Sequence, residues 1–276
     1  MMKDRLSLST WSVHRLLGRS IWTVWDEATS RQVIHVEDKK PSLTLLELPS
    51  AAADRGFHIM ELCHFHLPAV DEPYITQLRE AFEAAGVTLH TLLIDYGDLS
   101  SPDPVRRSSD EAFIQGWIDV AARLGASAVR VVAGEQPAGD TGAIARSAAS
   151  LQRLYRYGQD NGGVKLVTEN FRELTSTLSS WQSVMAAAGG NVKTIVDFGN
   201  LLPGEKAAAI AYGAPIAHTI HAKPVYFEDG SFDEQELRRS LSIAADNGCT
   251  APISVIFDSE GDVWEGIERI ATVIRS

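Results

Sequence analysis

The ten residues from Asn161 to Asn170, NGGVKLVTEN, contain the pattern on which the fold prediction depends. A helical stretch ends at two glycines, and a short β-rich run follows at once. Glycine just past a helix takes the left-handed conformation that closes the helix, without a Cβ clash. The same order of glycine and strand occurs seven times, before FHIMEL (57–62), VTLHTLLI (87–94), ASAVRVV (126–132), VKLVTEN (164–170), NVKTIVDF (191–198), APIAHTIHAK (214–223) and CTAPISVIF (249–257). With the opening run LSLST (6–10), these junctions predict eight strands.

The segments between these strands have the period of amphipathic helices. Ile75, Leu78 and Phe82 recur at three- and four-residue steps, as apolar residues on one helix face do. Strands that alternate with helices pair in parallel through right-handed crossovers. An open doubly wound sheet is the alternative, but no Gly-rich phosphate loop follows an early strand. We therefore predict an α/β protein with one (βα)8 TIM barrel over residues 1–276.

One segment, residues 14–41, interrupts the rhythm between the first strand and the first long helix. It contains Trp22, Trp25 and mixed charges. Long βα loops of a barrel lie at its catalytic face, so this loop is interpreted as a lid or substrate wall. A packed excursion without a functional role explains the same segment equally well.

Composition excludes several classes of protein. The net charge of −11 and the absence of a basic run argue against a nucleic-acid partner, because such binding depends on clustered Lys and Arg. Two isolated cysteines, Cys63 and Cys249, are expected to be small buried residues rather than a disulfide framework. No signal peptide and no run long enough to span a bilayer is evident. We expect a cytoplasmic protein without a membrane partner, and the oligomeric state, including a homo-oligomer, stays open.

Charged residues follow apolar strand residues at three neighbouring strand ends. Glu169 follows VKLVT, Asp197 follows VKTIV, and His221 follows IAHTI. The carboxyl ends of barrel strands converge on one site, and a buried charge requires a partner or a metal. Two carboxylates and one imidazole suit Mn²⁺, Zn²⁺ or Mg²⁺, with positions open for substrate oxygens. A hydrogen-bonded polar cluster without metal is the alternative.

These strand ends, TEN, VDFGN and HTIHAK, together with IMEL in the second strand, resemble the xylose isomerase-like barrels. That group holds sugar isomerases, ketose 3-epimerases, inosose dehydratases and endonuclease IV-type enzymes. The resemblance implies that Glu169, Asp197 and His221 are metal ligands. It also implies that Lys223, on the same strand face as His221, contacts a substrate oxygen, and that Glu61 lies at the rim near the substrate.

The sequence departs from the family pattern at the last strand. Family members end that strand with a glutamate that is both fourth ligand and catalytic base, whereas this chain has Ile256. Asp258 lies about 6–7 Å further along the same strand face, so it reaches the site only if the strand end bends. Pro224 replaces the family's aspartate after the lysine, and Asn200 stands where a histidine is often found. Two-base epimerisation needs an acid or base on each face of the substrate carbon, and without the glutamate it loses one of the two. The loss of this ligand also puts the metal in doubt. A one-base reaction stays open, as does one in which Lys223 or a histidine replaces the glutamate as base.

The resemblance implies a metal-dependent isomerase, epimerase or related lyase that acts on a small sugar or polyol through an enediolate. Glu169 and Lys223 are the predicted catalytic residues. The predicted substrate-binding residues are Glu61, His64, His66, Asn200 and Asp258. For His64 and His66, a hydrogen-bonded rim histidine without substrate contact is the alternative. The second hypothesis is a degenerate barrel that binds a sugar-like ligand without catalysis. A DNA-repair enzyme would need a basic surface and more histidine and acidic metal ligands, and the sequence has neither.

Overall fold

The computed structural model describes residues 5–276. Eight parallel strands form a closed barrel in the order β1-β10-β9-β8-β7-β6-β5-β4. Their bounds are β1 (Leu6–Ser9), β4 (Ile59–Cys63), β5 (Thr88–Leu93), β6 (Ala128–Arg130), β7 (Lys165–Glu169), β8 (Lys193–Asp197), β9 (Ala217–Ala222) and β10 (Ile253–Val255). The eight predicted strands and their parallel pairing are confirmed.

Helices cover the outside of the barrel. They are α1 (His14–Leu17), α2 (Leu48–Ala53), α3 (Glu72–Ala85), α4 (Pro104–Leu124), α5 (Thr141–Asp160), α6 (Leu178–Ala188), α7 (Lys206–Gly213), α8 (Glu234–Asp246) and α9 (Val263–Arg275). An aspartate side chain accepts a backbone N–H at the first turn of α3, α4, α5, α8 and α9. Such caps satisfy N–H groups that have no partner within the helix.

At six of the seven junctions, a glycine has the positive φ that the sequence predicts. The glycines with positive φ at these junctions are Gly56, Gly86, Gly125, Gly163, Gly189 and Gly248. Gly213 differs, because its φ is −77°. A Cβ there would lie 2.5 Å from the Trp181 ring and 2.7 Å from Val196, so this glycine permits close packing of α7 on the barrel.

The apolar core has two layers. The larger one lies between the strands and the helices and includes Leu62, Leu92 and Trp181. A smaller cluster fills the barrel interior with Cys63, Phe65, Leu93, Ala128, Val167 and Ile195. Both cysteines are buried and free, as expected. Because alternate residues of a strand point to opposite faces, the next inward residues of several strands lie above the inner cluster.

Residues 14–41 are more regular than a long loop. They contain α1 and an antiparallel hairpin of β2 (Arg19–Asp26) and β3 (Arg31–Asp38). The hairpin is anchored to α4, since the Gln32 amide donates to the Ser109 carbonyl oxygen and to Asp110 Oδ1, each at 3.2 Å. On its barrel side, the Trp22 ring stacks on Phe65 with centroids 4.0 Å apart.

No helix within residues 5–276 is both long enough and apolar enough to cross a membrane.

Candidate active site

A cavity of about 220 Å³ opens at the carboxyl ends of the strands. That volume is room for about seven waters at ~30 Å³ each, or for one small polar molecule. All eight barrel strands contribute a lining side chain at or beside their last residue. This ring consists of Ser9, Cys63, Leu93, Arg130, Glu169, Asp197, His221 and Ile256.

Three members of the ring meet as the sequence predicts. Asp197 of β8 is paired in register with His221 of β9, and Glu169 of β7 is paired with Ile195 of β8. His221 Nδ1 is 3.6 Å from Glu169 Oε1 and 3.6 Å from Asp197 Oδ2. One ligand atom from each residue lies within 4.8 Å of the other two, and all three side chains are buried. The two 3.6 Å distances are short enough for these atoms to bind one ion at metal–ligand distances of about 2.0–2.2 Å.

Glu61 determines which nitrogen of His221 faces the carboxylates. Its Oε2 accepts a hydrogen bond from His221 Nε2 at 2.8 Å, across the barrel interior from β4 to β9. Burial raises the pKa of Glu61, but the charge and hydrogen bond of His221 outweigh it and lower the pKa to about 2. An ionised Glu61 only accepts, so Nε2 carries the proton and Nδ1 is left for a ligand. A carboxylate behind a histidine in this way is the usual second partner of a metal-bound imidazole.

The position of Glu61 differs from the rim that was predicted for it. The side chain is fully buried, with 0% exposure, and lies below the cavity lining. Glu61 is an inward residue of β4 two positions before Cys63, so it lies one layer deeper in the barrel than the strand end. Its direct partner is therefore His221 rather than a molecule in the cavity.

Sequence reasoning missed Arg130. Its guanidinium is buried, donates to Asp95 Oδ1 at 2.5 Å, and places Nε 3.0 Å from Glu169 Oε2. Burial lowers the pKa of Arg130, but Asp95 and Glu169 raise it above its ordinary value, so the arginine stays charged. The available signal was the charge inside the strand ASAVRVV, where an isolated cation requires acidic partners.

Two asparagines form hydrogen bonds to the acidic residues, one to the backbone of Asp197 and one to the side chain of Glu169. Asn170 pins β7 to β8, since its Oδ1 accepts from the Asp197 N–H at 2.8 Å and its Nδ2 donates to the Asp197 carbonyl at 2.9 Å. Asn200 lines the cavity, and its Nδ2 donates to Glu169 Oε1 at 3.3 Å. Its contact with a substrate stays a prediction.

Lys223 lines the cavity, but Asp258 does not. Lys223 Nζ donates to Asp258 Oδ2 at 2.7 Å, so the aspartate engages the lysine rather than the Glu169 group. Burial lowers the pKa of Lys223, and the hydrogen bond to Asp258 and the charge of Asp197 raise it, with a net increase. Ile256 occupies the strand-end position itself and presents a buried apolar side chain to the cavity.

The structure places His64 and His66 away from the cavity, which differs from the substrate contact predicted for them. Both are buried in the turn after β4. His64 packs edge-on against Phe113 and Trp117 of α4, and His66 Nδ1 lies 2.9 Å from Thr10 Oγ1. Burial lowers the pKa of His64 to about 4 and that of His66 to about 3, so both are neutral near pH 7. They point between the barrel and its helices because the turn reverses their direction relative to the strand.

Aromatic side chains form the upper wall of the cavity. Trp11, Trp22, Phe65 and Phe171 line it, and Trp11 meets Phe65 edge-on at 6.2 Å. Trp22 comes from the hairpin, so residues 14–41 supply one of the side chains that line the cavity. Flat apolar surfaces beside charged groups are suited to a ligand with both C–H faces and hydroxyl groups, such as a small sugar.

Comparison with known proteins agrees with this geometry. The family model described as xylose isomerase-like TIM barrel matches residues 49–254, well over half of the chain. No curated protein matches the sequence.

Several solved structures share the fold at low identity. A D-allulose 3-epimerase from Methylomonas sp. superposes with a TM-score of 0.70 at 14% identity, covering 98% of this chain and 96% of that one. A D-psicose 3-epimerase from Clostridium cellulolyticum H10, solved with D-tagatose, gives 0.63 at 17% identity, covering 98% and 94%. A 3-keto-D-glucoside 4-epimerase from E. coli gives 0.64 at 17% identity, covering 84% and 94%. The family match, with these folds around it, confirms the resemblance: the chain belongs to the xylose isomerase-like TIM barrel family.

Proposed function

We propose that this protein is a metal-dependent sugar isomerase or epimerase that moves a proton at the carbon beside a carbonyl, with Glu169 as its base. The observation that carries the proposal is the orientation of His221. Its Nε2 is held by Glu61 at 2.8 Å, and its Nδ1 is directed at Glu169 and Asp197.

The residues fit a divalent cation on charge as well as on spacing. Four carboxylates surround the side chains of Arg130 and His221 within ion-pair distance. They belong to Glu61, Asp95, Glu169 and Asp197. Even with His221 protonated, negative charge is in excess within a buried site, which is costly without a cation. Glu169, Asp197 and His221 would hold the ion. When bound, it would polarise a substrate carbonyl and orient the neighbouring hydroxyl.

Glu169 is the best candidate for the base because the other carboxylates are engaged. Asp197 Oδ1 accepts the Gly199 N–H at 2.7 Å while Oδ2 faces His221. Glu169 Oε2, by contrast, accepts no hydrogen bond from the residues that the structure describes. Its nearest charge is Arg130 Nε, 3.0 Å away.

The proposed proton transfer occurs on one face of the substrate. Ile256 has no acid or base function, and it lies three strands around the ring from Glu169. Lys223, held by Asp258, is placed to stabilise negative charge on a substrate oxygen. A one-base isomerisation therefore fits the site better than a two-base epimerisation, and the substrate class is a small ketose, aldose or polyol.

A degenerate barrel that binds a sugar without reaction is the second candidate. Two observations favour it, the apolar Ile256 and the cation of Arg130 only 3.0 Å from Glu169. It predicts ligand binding that is insensitive to chelators and no exchange of substrate C–H protons.

The test is metal content together with proton exchange. We expect near-stoichiometric divalent metal by elemental mass spectrometry, lost in His221→Ala. With Mg²⁺ or Zn²⁺ present, NMR in D₂O should detect deuterium at the carbon beside the carbonyl of ketoses, and Glu169→Gln should lower that rate by at least about a hundredfold.

His218→Ala is the matched control on the same strand. His218 stacks on His90 at 4.2 Å and does not line the cavity, so this variant should keep both metal and exchange. Absence of metal after incubation with Mn²⁺ and Zn²⁺, with no exchange, would reject the proposed enzyme in favour of the binding protein.

A further inference from the structure

Arg172 has a backbone conformation that residues with a side chain rarely adopt. Its φ is 67° and its ψ is 176°, in a region populated almost only by glycine. It follows Glu169 by three residues, it is exposed, and it lines the cavity. Strained backbone of this kind concentrates at functional sites, where the surrounding structure holds the residue in place.

Arg172 is also the cavity cation without an acidic partner. Arg130 is paired with Asp95 at 2.5 Å, and Lys223 with Asp258 at 2.7 Å. Across the part of the chain that the structure describes, residues 5–276, no carboxylate lies within ion-pair distance of Arg172. Its positive charge is therefore available to a molecule in the cavity.

Phe171 holds this guanidinium against the cavity. The Arg172 guanidinium carbon lies 4.9 Å from the centre of the Phe171 ring, and that of Arg130 lies 5.3 Å from it. Stacking on an aromatic face restricts a guanidinium while its N–H donors stay free. A stacked arginine can therefore bind a phosphate or a carboxylate through two parallel hydrogen bonds.

We propose that Arg172 binds an anionic group of the substrate, so that the preferred substrate is a sugar phosphate or a sugar acid rather than a neutral sugar. This inference rests on the proposed sugar chemistry at Glu169. Glu169 and Arg172 line the same cavity of about 220 Å³, so one small sugar can contact both residues. The reacting carbonyl lies at the metal-binding residues, and the anionic group lies at the other end of the molecule.

The test is calorimetric binding of three matched ligands, D-fructose, its 6-phosphate and its C6 carboxylate, to the unaltered protein with Mg²⁺ present. At least one anionic ligand should bind tenfold or more tightly than fructose, and comparison of the two identifies which anion is preferred. Arg172→Ala should remove that preference and leave fructose unchanged, and Arg172→Lys should restore part of it. Arg239→Ala, which removes an exposed arginine of α8 outside the cavity, is the matched control and should change nothing.

Arg172→Gly gives an independent readout. Because glycine adopts this conformation without strain, the variant should melt at a temperature equal to or above that of the parent while it loses the anion preference. A variant that keeps or gains thermal stability while it loses the anion preference identifies Arg172 as a binding residue held under strain. A merely structural residue would not give this combination.

Equal binding of all three ligands, or no binding of any of them or of inorganic phosphate, would overturn the inference. So would an anion preference that survives in Arg172→Ala. Since these measurements record binding and not turnover, their outcome is separate from that of the proton-exchange experiment. Proton exchange with neutral ketoses but no anion preference refutes this inference alone, whereas anion preference without exchange in the unaltered protein refutes the proposed reaction alone.

Discussion

The ring of strand-end side chains has two halves with different chemistry. The four consecutive strands β6 to β9 contribute Arg130, Glu169, Asp197 and His221. The other four, β10, β1, β4 and β5, contribute Ile256, Ser9, Cys63 and Leu93. The first half carries every charge of the ring. In the second half, burial raises the pKa of the Cys63 thiol, so that it stays protonated and neutral.

This difference explains how one barrel can favour chemistry on a single face. The proposed base and the proposed metal ligands lie together on one side, while the strand-end residues of the opposite side offer apolar contact, a hydroxyl and a neutral thiol. The inner apolar cluster takes residues from both halves, namely Cys63 and Leu93 from one and Ala128, Val167 and Ile195 from the other, so the asymmetry lies in the strand ends. The functional character is therefore a property of individual strand ends, and three experiments can break or sharpen the contrast.

The largest effect is expected when the charged half loses its arginine. Arg130→Met removes the cation between Asp95 and Glu169 with little change in volume. Leaving buried carboxylates unpaired should lower the free energy of unfolding by about 3–5 kcal/mol, measured by urea denaturation in the presence of a chelator. A divalent metal should recover much of that loss, because it supplies the missing charge.

The control for this variant is Arg153→Met, which breaks a surface pair with Glu111. That arginine is 48% exposed, so its loss should cost less than about 1 kcal/mol. Equal stability of the two variants would show that Arg130 does not balance the acidic side chains.

A second experiment converts the apolar half. Ile256→Glu places a carboxylate at the strand end that faces the cavity, where it can act as a fourth ligand. We expect metal affinity to rise ten- to hundredfold, because affinity follows the number of charged ligands. Ile256→Gln has the same shape without the charge and should leave the affinity nearly unchanged. Equal metal affinity of the two variants would show that the apolar side chain at position 256 does not limit metal binding.

The smallest expected effect is a pH dependence. Burial lowers the pKa of His221, but Glu61, Asp197 and Glu169 outweigh it and raise the pKa well above the ordinary value. A metal requires the unprotonated Nδ1, so affinity should fall by about tenfold per pH unit as the pH drops below that raised pKa. In the metal-free protein the sign is opposite: the charged histidine stabilises the fold at low pH, and this stabilisation is lost as the pH rises through the raised pKa.

Chelator competition over a pH series measures this slope. His218→Ala should show the same slope as the unaltered protein, since His218 does not touch the ligands. A metal affinity independent of pH would mean that His221 does not lose a proton when metal binds.

The fold could be predicted because every βα unit of the chain repeats the same local signal. A glycine that ends a helix and a β-rich run that follows it recur often enough to count eight strands, and only a few arrangements of eight parallel strands exist. The hairpin between β1 and α2 escaped this reasoning. Ser20 to Trp25 mixes polar and apolar residues on both faces, so the alternation that marks a half-covered strand is weak there.

The site was predictable where strand direction alone places a side chain. Glu169, Asp197 and His221 are the inward residues of regular strands, and alternation brings them together. His64 follows an equally regular strand, but a turn of three residues carries it between β5 and α4. Nothing in the order of residues distinguishes these two cases. Arg130 was missed for another reason, since its role depends on acidic partners 35 and 39 positions away along the chain.

The hydrogen bond between Glu61 and His221 has a consequence for folding. The two residues are 160 positions apart and belong to β4 and β9, which are not neighbours in the barrel. Contacts of such sequence separation form only after a large loop closes, which is slow. A chain in which the amino-terminal strands have assembled without β9 cannot hold His221 in its ligand orientation. The proposed metal site should therefore form during refolding only when β9 completes the sheet, so that metal uptake reports closure of the barrel.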